Sequence, residues 1–251
     1  MKNNTGVLTG RLMKHILRSP DTIITVALTP IAMMLMFVYV FGGAVKMSIG
    51  ADVNYINYQL PGILLIAIAS GIAYTAFRLF TDMQKGLFSR FNSMPVSRSS
   101  VLWSHVLTSL VSNMLTVVII ILVALIMGFR SSAGILNWLA AAGILALYTL
   151  ALTWIAVIPG LTAKSMEGAS SFSYLLLFLP FLSSAFVPTA TMPKAVRVFA
   201  ENQPVTSIVE TVRALLNSEP VGNDIWIALA WCAGAMVAAY LLAMRVYRRS
   251  I

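Results

Sequence analysis

Six apolar runs divide this chain, at about residues 22–44, 59–80, 101–129, 135–159, 170–187 and 225–246. A helix needs about 20 apolar residues to cross the hydrocarbon core of a bilayer, and each run meets or approaches that length. The first is too long for the apolar stretch of a signal peptide, about 7–15 residues, and reads as a retained span. The fifth is short and carries Pro180, which leaves its ends the least defined. Pro30, Pro159 and Pro180 are expected to kink their helices or mark helix ends, because proline has no amide hydrogen to donate.

The segments between the runs carry their own periodicities. In residues 1–20, Leu8, Leu12 and Ile16 share one helical face, and Arg11, Lys14 and Arg18 lie around the rest. This predicts a basic amphipathic helix resting on anionic membrane lipid. In residues 82–95, Met83, Leu87 and Phe91 recur every fourth position with Phe88 and Met94 beside them, while Gln84, Lys85, Ser89, Arg90 and Asn92 fall mostly on other faces. Pro95 ends that helix. A short amphipathic helix between two spans lies at the interface, as an ordinary loop helix or as a face offered to a soluble partner. In residues 188–224, Val205, Ile208, Val209, Val212, Leu215 and Leu216 form a helical stripe, and Glu210 can pair with Arg213 one turn on. That segment is too short and too charged to span, so it lies on the outer surface or dips into the membrane against other helices.

Composition makes the membrane assignment firm. The 251 residues are 59% hydrophobic and 10% charged, against about 45–50% and about 25% for a soluble domain. The fold class is therefore an all-α integral membrane protein, one domain over 1–251, with six transmembrane helices and no internal repeat. The net charge of +9 is scattered in short clusters, which argues against a nucleic-acid partner. With the N-terminus inside, twelve of the 17 basic residues fall in cytoplasmic segments. The positive-inside rule then places both termini in the cytoplasm. Asp52, Glu201, Glu210, Glu219 and Asp224 fall on the other side. An odd number of spans would put Arg245, Arg248 and Arg249 outside and weaken this bias.

Catalytic chemistry is missing. Cys232 is a lone cysteine within an apolar run, and His15 and His105 each lack a second ligand, so neither a disulfide nor a metal site is expected. Gly168-Ala169-Ser170-Ser171 loosely resembles a serine elbow, but no later span carries a histidine to act as base. Gly160 to Ser165 resembles the tail of a phosphate-binding loop without the glycine before Lys164 or a preceding strand. The chain is not expected to hydrolyse nucleotide or hold a cofactor. No acidic or basic residue sits at the centre of a span. Arg78 lies at the inner end of the second, where it can meet Asp82. Ion-coupled carriers keep ionisable groups near the midplane, which argues against that class. The midplane polar groups include Ser70, Tyr74, Thr75, Asn113, Tyr148, Thr149, Thr153, Ser173, Tyr174, Ser183 and Ser184. They are expected to bond backbone or neighbouring helices, with a subset lining a path for an amphipathic substrate. Small residues at four-residue spacing (Ala67 with Gly71, Ala69 with Ala73, Gly234 with Ala238) permit close helix contact, within the chain or between two copies.

The whole pattern resembles the permease subunit of type-2 ATP-binding-cassette (ABC) exporters, the daunorubicin-resistance type. The basic N-terminal helix, the segment Gly86 to Leu107 between spans two and three, the segment Phe181 to Leu216 and the basic tail after span six carry the resemblance. In the third, Asn202 and Pro204 are separated by Gln203, where the family usually has them adjacent. The resemblance implies a multi-pass protein of the bacterial cell membrane that pairs with a second permease copy or a paralogue. A separate cytoplasmic ATPase would bind ATP and Mg. Met83, Lys85, Gly86, Leu87, Phe88, Arg90 and Phe91 would form the coupling helix seated on that ATPase, flanked by the interface helix with Arg11, Lys14 and Arg18. The substrate, a drug, antibiotic, lipid or glycan, would pass along spans two and five near Ser70, Tyr74, Phe77, Phe181 and Ser184. Pro188, Pro204, Glu210 and Arg213 would belong to an outer gate. The rival expectations are an ion-coupled carrier and a scaffold protein that moves no solute.

Overall fold

The structure is a computed structural model that describes residues 20–43, 54–85 and 98–249, with Gly6, Thr9, Gly10 and Val45. Among the described residues every regular element is helical. Helix α1 (Pro20–Met36) runs into a π-helical turn, Phe37–Phe41. Then come α2 (Tyr55–Gln84), α3 (Arg98–Ile126), α4 (Ile135–Thr162) and α5 (Met166–Phe178), the last continued by a 3-10 turn, Leu179–Leu182. Two short helices follow, α6 (Lys194–Asn202) and α7 (Pro204–Asn217), and α8 (Asp224–Arg249) closes the chain.

Helix α2 is the axis of the bundle and touches α1, α3, α4, α5 and α7. Of its most apolar stretch 72% is buried, against 17% for α1, so α2 is an inner helix and α1 a peripheral one. Asn54 starts it by accepting from the Ile56 amide, which satisfies one of the orphan donors of a helix start. Between helices in lipid, packing rather than water exclusion supplies the cohesion, and close approach matters. A Cβ at Gly71 would collide with the Asn113 carboxamide of α3, and one at Gly62 would meet the Ala185 methyl. Gly71, expected at a close contact, therefore serves one inside the chain. Gly234 and Ala238 instead lie on an exposed face of α8.

Among the described residues, two apolar clusters form the core. The larger joins Leu60 to Ile72 of α2 with Ile120, Ile144, Phe186 and the whole α7 stripe of Val205, Ile208, Val209, Val212, Leu215 and Leu216. The smaller gathers Leu79, Val101, Leu102, Trp154, Ala243 and Tyr247. Its centre is Trp154, edge-on to Trp103 at 5.1 Å and to Tyr240 at 4.9 Å.

Several boundaries differ from the sequence-based expectation. Among the described residues, five helices are long and apolar enough to cross a membrane: α1 with its π-helical turn, α2, α3, α4 and α8. The fifth expected span, 170–187, is instead the shorter helix Met166–Leu182, begun by Ser165, whose hydroxyl accepts from the Gly168 amide. Pro180 cannot donate to the helical ladder, and the chain beyond Leu182 turns rather than continues. Ser183 holds that turn by donating to the Pro180 carbonyl at 2.6 Å and accepting from the Ala185 amide at 3.1 Å. Pro159 does not end α4, which runs on to Thr162. Helix α2 absorbs Asp82, Met83 and Gln84, with Lys85 as its cap. The expected coupling helix therefore does not begin at 82. Met83 packs beside the smaller cluster instead of opening a separate stripe. Its remaining residues, Gly86, Leu87, Phe88, Arg90 and Phe91, lie outside the described residues, as do Arg11, Lys14 and Arg18.

Candidate functional site

The densest polar construction stands at the end of the bundle where α2 begins, and Arg213 of α7 is its hub. Arg213 is only 6% exposed. Its Nη1 meets Glu210 Oε1 at 2.7 Å, the pairing that the three-residue spacing predicts. Its Nε donates to the Tyr58 carbonyl at 3.0 Å and its Nη2 to the Ser184 carbonyl at 2.7 Å. The guanidinium also lies 3.8 Å from the Tyr58 ring centre. A planar fork with five donors can bind several acceptors in fixed directions. One side chain thus fastens α7 to the start of α2 and to the turn after α5. A cation placed inside a membrane bundle is costly unless so partnered.

Neighbouring contacts reinforce the clamp. Gln203 donates to the carbonyls of Leu179 and Leu182 at 3.3 and 2.5 Å, acceptors of a helix end that has no further amides to offer. Tyr55 donates to the Phe186 carbonyl at 3.3 Å. Phe186 stacks on Phe37 at 4.6 Å and on Phe181 at 5.1 Å. At the other end of α7, Ser218 takes a left-handed conformation with φ of 56°. There Ser131 and Ser132 donate to the Leu216 and Asn217 carbonyls.

Of the residues singled out in the sequence, Ser184, Pro188, Glu210 and Arg213 line one cavity of about 420 Å³, together with Tyr58 and Glu219. Pro204 opens α7 and is not part of that lining. Phe181 belongs to the aromatic stack beside it. Ser70, Tyr74 and Phe77 are not brought there. Tyr74 lies 16 residues beyond Tyr58 on α2, about 24 Å along the axis at 1.5 Å per residue. These three share a half-buried stripe of α2. Ser70 is bonded to the Ile66 carbonyl at 2.9 Å, and Tyr74 stacks on Phe77 at 5.9 Å.

A second polar region runs between α2, α3 and α4. Thr75 donates to Ser109 at 2.9 Å, Ser109 lies 3.3 Å from Thr153, and Asn113 donates to the Ser109 carbonyl at 2.9 Å. Most midplane hydroxyls thus bond backbone or neighbouring helices, as expected. The buried Tyr148 and Ser173 hydroxyls, the Ser184 hydroxyl and the Asn113 Oδ1 have no partner. Toward the Gln84 end, His105 Nε2 stands 3.6 Å from Asp82 Oδ2, and Arg78 lies 5.8 Å from the Tyr74 ring centre. Spacing along α2 relates Asp82 to Arg78, and no spacing relates it to the histidine across the α2–α3 contact. Among the described residues no group of His, Cys, Asp and Glu is arranged to hold a metal. Ser170 and Ser171 donate to backbone carbonyls of their own helix.

On α6 outside the long helices, Arg197 Nε meets Glu201 Oε1 at 2.7 Å. That hydrogen bond holds the Glu201 carboxyl below its ordinary range.

Residues 3–217 match the ABC-2 type transporter family. The chain is 29% identical over 239 residues to a daunorubicin resistance ABC transporter permease protein of Streptomyces coeruleorubidus, covering 95% of this chain and 83% of that one. It is 25% identical over 249 residues to a probable doxorubicin resistance ABC transporter permease protein of Mycobacterium tuberculosis, covering 98% and 88%. To a putative transport permease of Cyanophora paradoxa it is 26% identical over 211 residues, covering 83% and 72%. With a match that spans most of its length and a bundle of long apolar helices, this chain belongs to the ABC-2 type transporter family and is a multi-pass membrane transport subunit.

Proposed function

We propose that the chain is the membrane half of an ATP-driven exporter in a bacterial cell membrane, with six crossings and both termini in the cytoplasm. In this reading α5 with its 3-10 turn makes the short fifth crossing. The α2 start, α6 and α7 face outward, and residues 86–91 meet a separate ATPase that binds ATP and Mg. Two permease copies, or one copy and a paralogue, enclose the path, and the cargo is an amphipathic molecule. The observation that carries this reading is α7. A short charged helix is drawn into the core and fastened by Arg213 to the ends of α2 and α5, between which the cargo is proposed to move. Binding of ATP draws the ATPases together, and the resulting motion of α2 works against the clamp at its far end.

The test is transport by Leu87→Asp and Arg90→Glu variants co-expressed with the ATPase. Both are expected to insert normally and to lose ATP-dependent export. Export at the wild-type rate by either variant removes the coupling role of that segment. A second reading, a proton-coupled carrier, would have to use the His105–Asp82 contact, whose side chains are 6% and 20% exposed. Export driven by a pH gradient in the absence of ATP would select it.

A further inference from the structure

We infer that the link between α3 and α4 is a binding site for an anionic phospholipid, with Arg130 taking the phosphate and the aliphatic residues on either side taking the acyl chains. The three most exposed large apolar side chains among the described residues stand here: Ile126 at 87%, Ile135 at 82% and Leu136 at 79%. They close α3 and open α4, four residues before Arg130 and five and six after it. Phe129 is buried and meets Trp138 edge-on at 6.4 Å, which seats the link against the start of α4. Arg130 itself is exposed. Its Nη1 donates to the carbonyls of Leu125 and Phe129 at 3.0 and 2.8 Å, at and just beyond the end of α3, where a cation also suits the helix dipole. These bonds fix the guanidinium and leave its Nε and Nη2 edge, a fork that matches two phosphate oxygens. Carbonyls hold this cation without cancelling its charge, whereas Arg197 and Arg213 carry Glu201 and Glu210. An arginine at the end of a span lays its stem among apolar groups and reaches for the headgroup layer. An anionic headgroup answers the charge, and the ammonium of a zwitterionic one competes with the guanidinium for its own phosphate. The link is also joined to the clamp. Asn57 donates to the Arg130 carbonyl at 2.6 Å and accepts from its amide at 3.3 Å, and Ser131 donates to the Leu216 carbonyl at 2.6 Å. A lipid bound here therefore steadies the place where the start of α2 meets the end of α7.

The experiment adds phosphatidylglycerol, phosphatidylcholine with the same chains, or glycerol 3-phosphate, which has the phosphate without chains, to the full chain in detergent without any ATPase. Native mass spectrometry counts the bound molecules, and a melting curve follows stability. Phosphatidylglycerol is expected to bind more tightly than phosphatidylcholine and to raise the Tm more, and glycerol 3-phosphate to do neither. Arg130→Gln is expected to weaken one phosphatidylglycerol site by about fivefold, the scale of one basic residue at an anionic lipid surface, and to leave phosphatidylcholine unchanged. Arg130→Lys should keep part of the preference, since the charge remains and the fork does not. Comparing the two lipids on each variant separates lipid binding from any stability lost with the Nη1 bonds. Phosphatidylglycerol binding by Arg130→Gln equal to that of the native chain overturns the inference, and so does glycerol 3-phosphate binding as tightly as the whole lipid. None of these readouts involves ATP, so the exporter reading is left to its own test.

Discussion

Arg213 concentrates more of this structure than any other side chain. Its pairing with Glu210 was legible in the sequence because the two stand one turn apart. Its bond to Tyr58 was not, because 155 positions separate the partners and no periodicity relates them. What could have flagged it is a lone arginine inside a helix otherwise reading as buried. Arg213→Met is expected to leave Glu210 and two carbonyls without their donor and to cost about 2–4 kcal/mol, read as a lower Tm of the purified permease. Arg213→Lys should recover only part of that, since one ammonium cannot reach acceptors on three elements at once. No loss in Arg213→Met would mean that the clamp does not hold the bundle. The Gly71 contact gives a second residue-level expectation. Gly71→Ala should destabilise by about 1–3 kcal/mol through its clash with Asn113. Asn113→Ala in the same chain should relieve much of it, so a double-mutant cycle that shows simple additivity contradicts the contact.

At the scale of elements, legibility followed periodicity. The α7 stripe could be read from spacing alone, and all six of its residues enter the larger core cluster. Apolar runs located α1 to α4 and α8, but their edges shifted where the next few residues could continue a helix, as Asp82 to Gln84 do in α2. The fifth run could not be resolved in this way. Hydropathy continues through residues 183–187, while the missing amide of Pro180 and the side-chain turn of Ser183 end the helix. Helix α6 is held on its exposed side by the Arg197–Glu201 pair. The Glu201 carboxyl is held low, so this support is complete above the ordinary carboxylate range and fades as pH falls through the depressed value. Hydrogen exchange of the α6 amides should therefore be faster in Glu201→Gln than in the native chain at neutral pH, and the two should converge in acid. A difference that persists or grows in acid contradicts the pairing.

For the whole molecule, composition and the charge bias were enough to see a multi-pass membrane subunit, and the comparison with known permeases fixes its family. The sequence could not disclose which polar groups would meet. Ser184, Pro188, Glu210 and Arg213 converge on one cavity, whereas Ser70, Tyr74 and Phe77 lie far along α2, since helical distance follows residue number and sequence chemistry does not. The proposed mechanism uses α2 as the link between an ATPase-facing end near Lys85 and a clamped end at Tyr58, 27 residues and about 40 Å apart. In this mechanism ATP hydrolysed by a separate subunit drives transport through the chain. The deciding experiment is uptake of a fluorescent amphipathic molecule into inside-out vesicles carrying the permease with its ATPase, with and without ATP, for the native chain and for Leu87→Asp. ATP-dependent uptake is expected for the native pair and none for Leu87→Asp at equal membrane abundance. Uptake that proceeds without ATP, or that Leu87→Asp leaves intact, contradicts it.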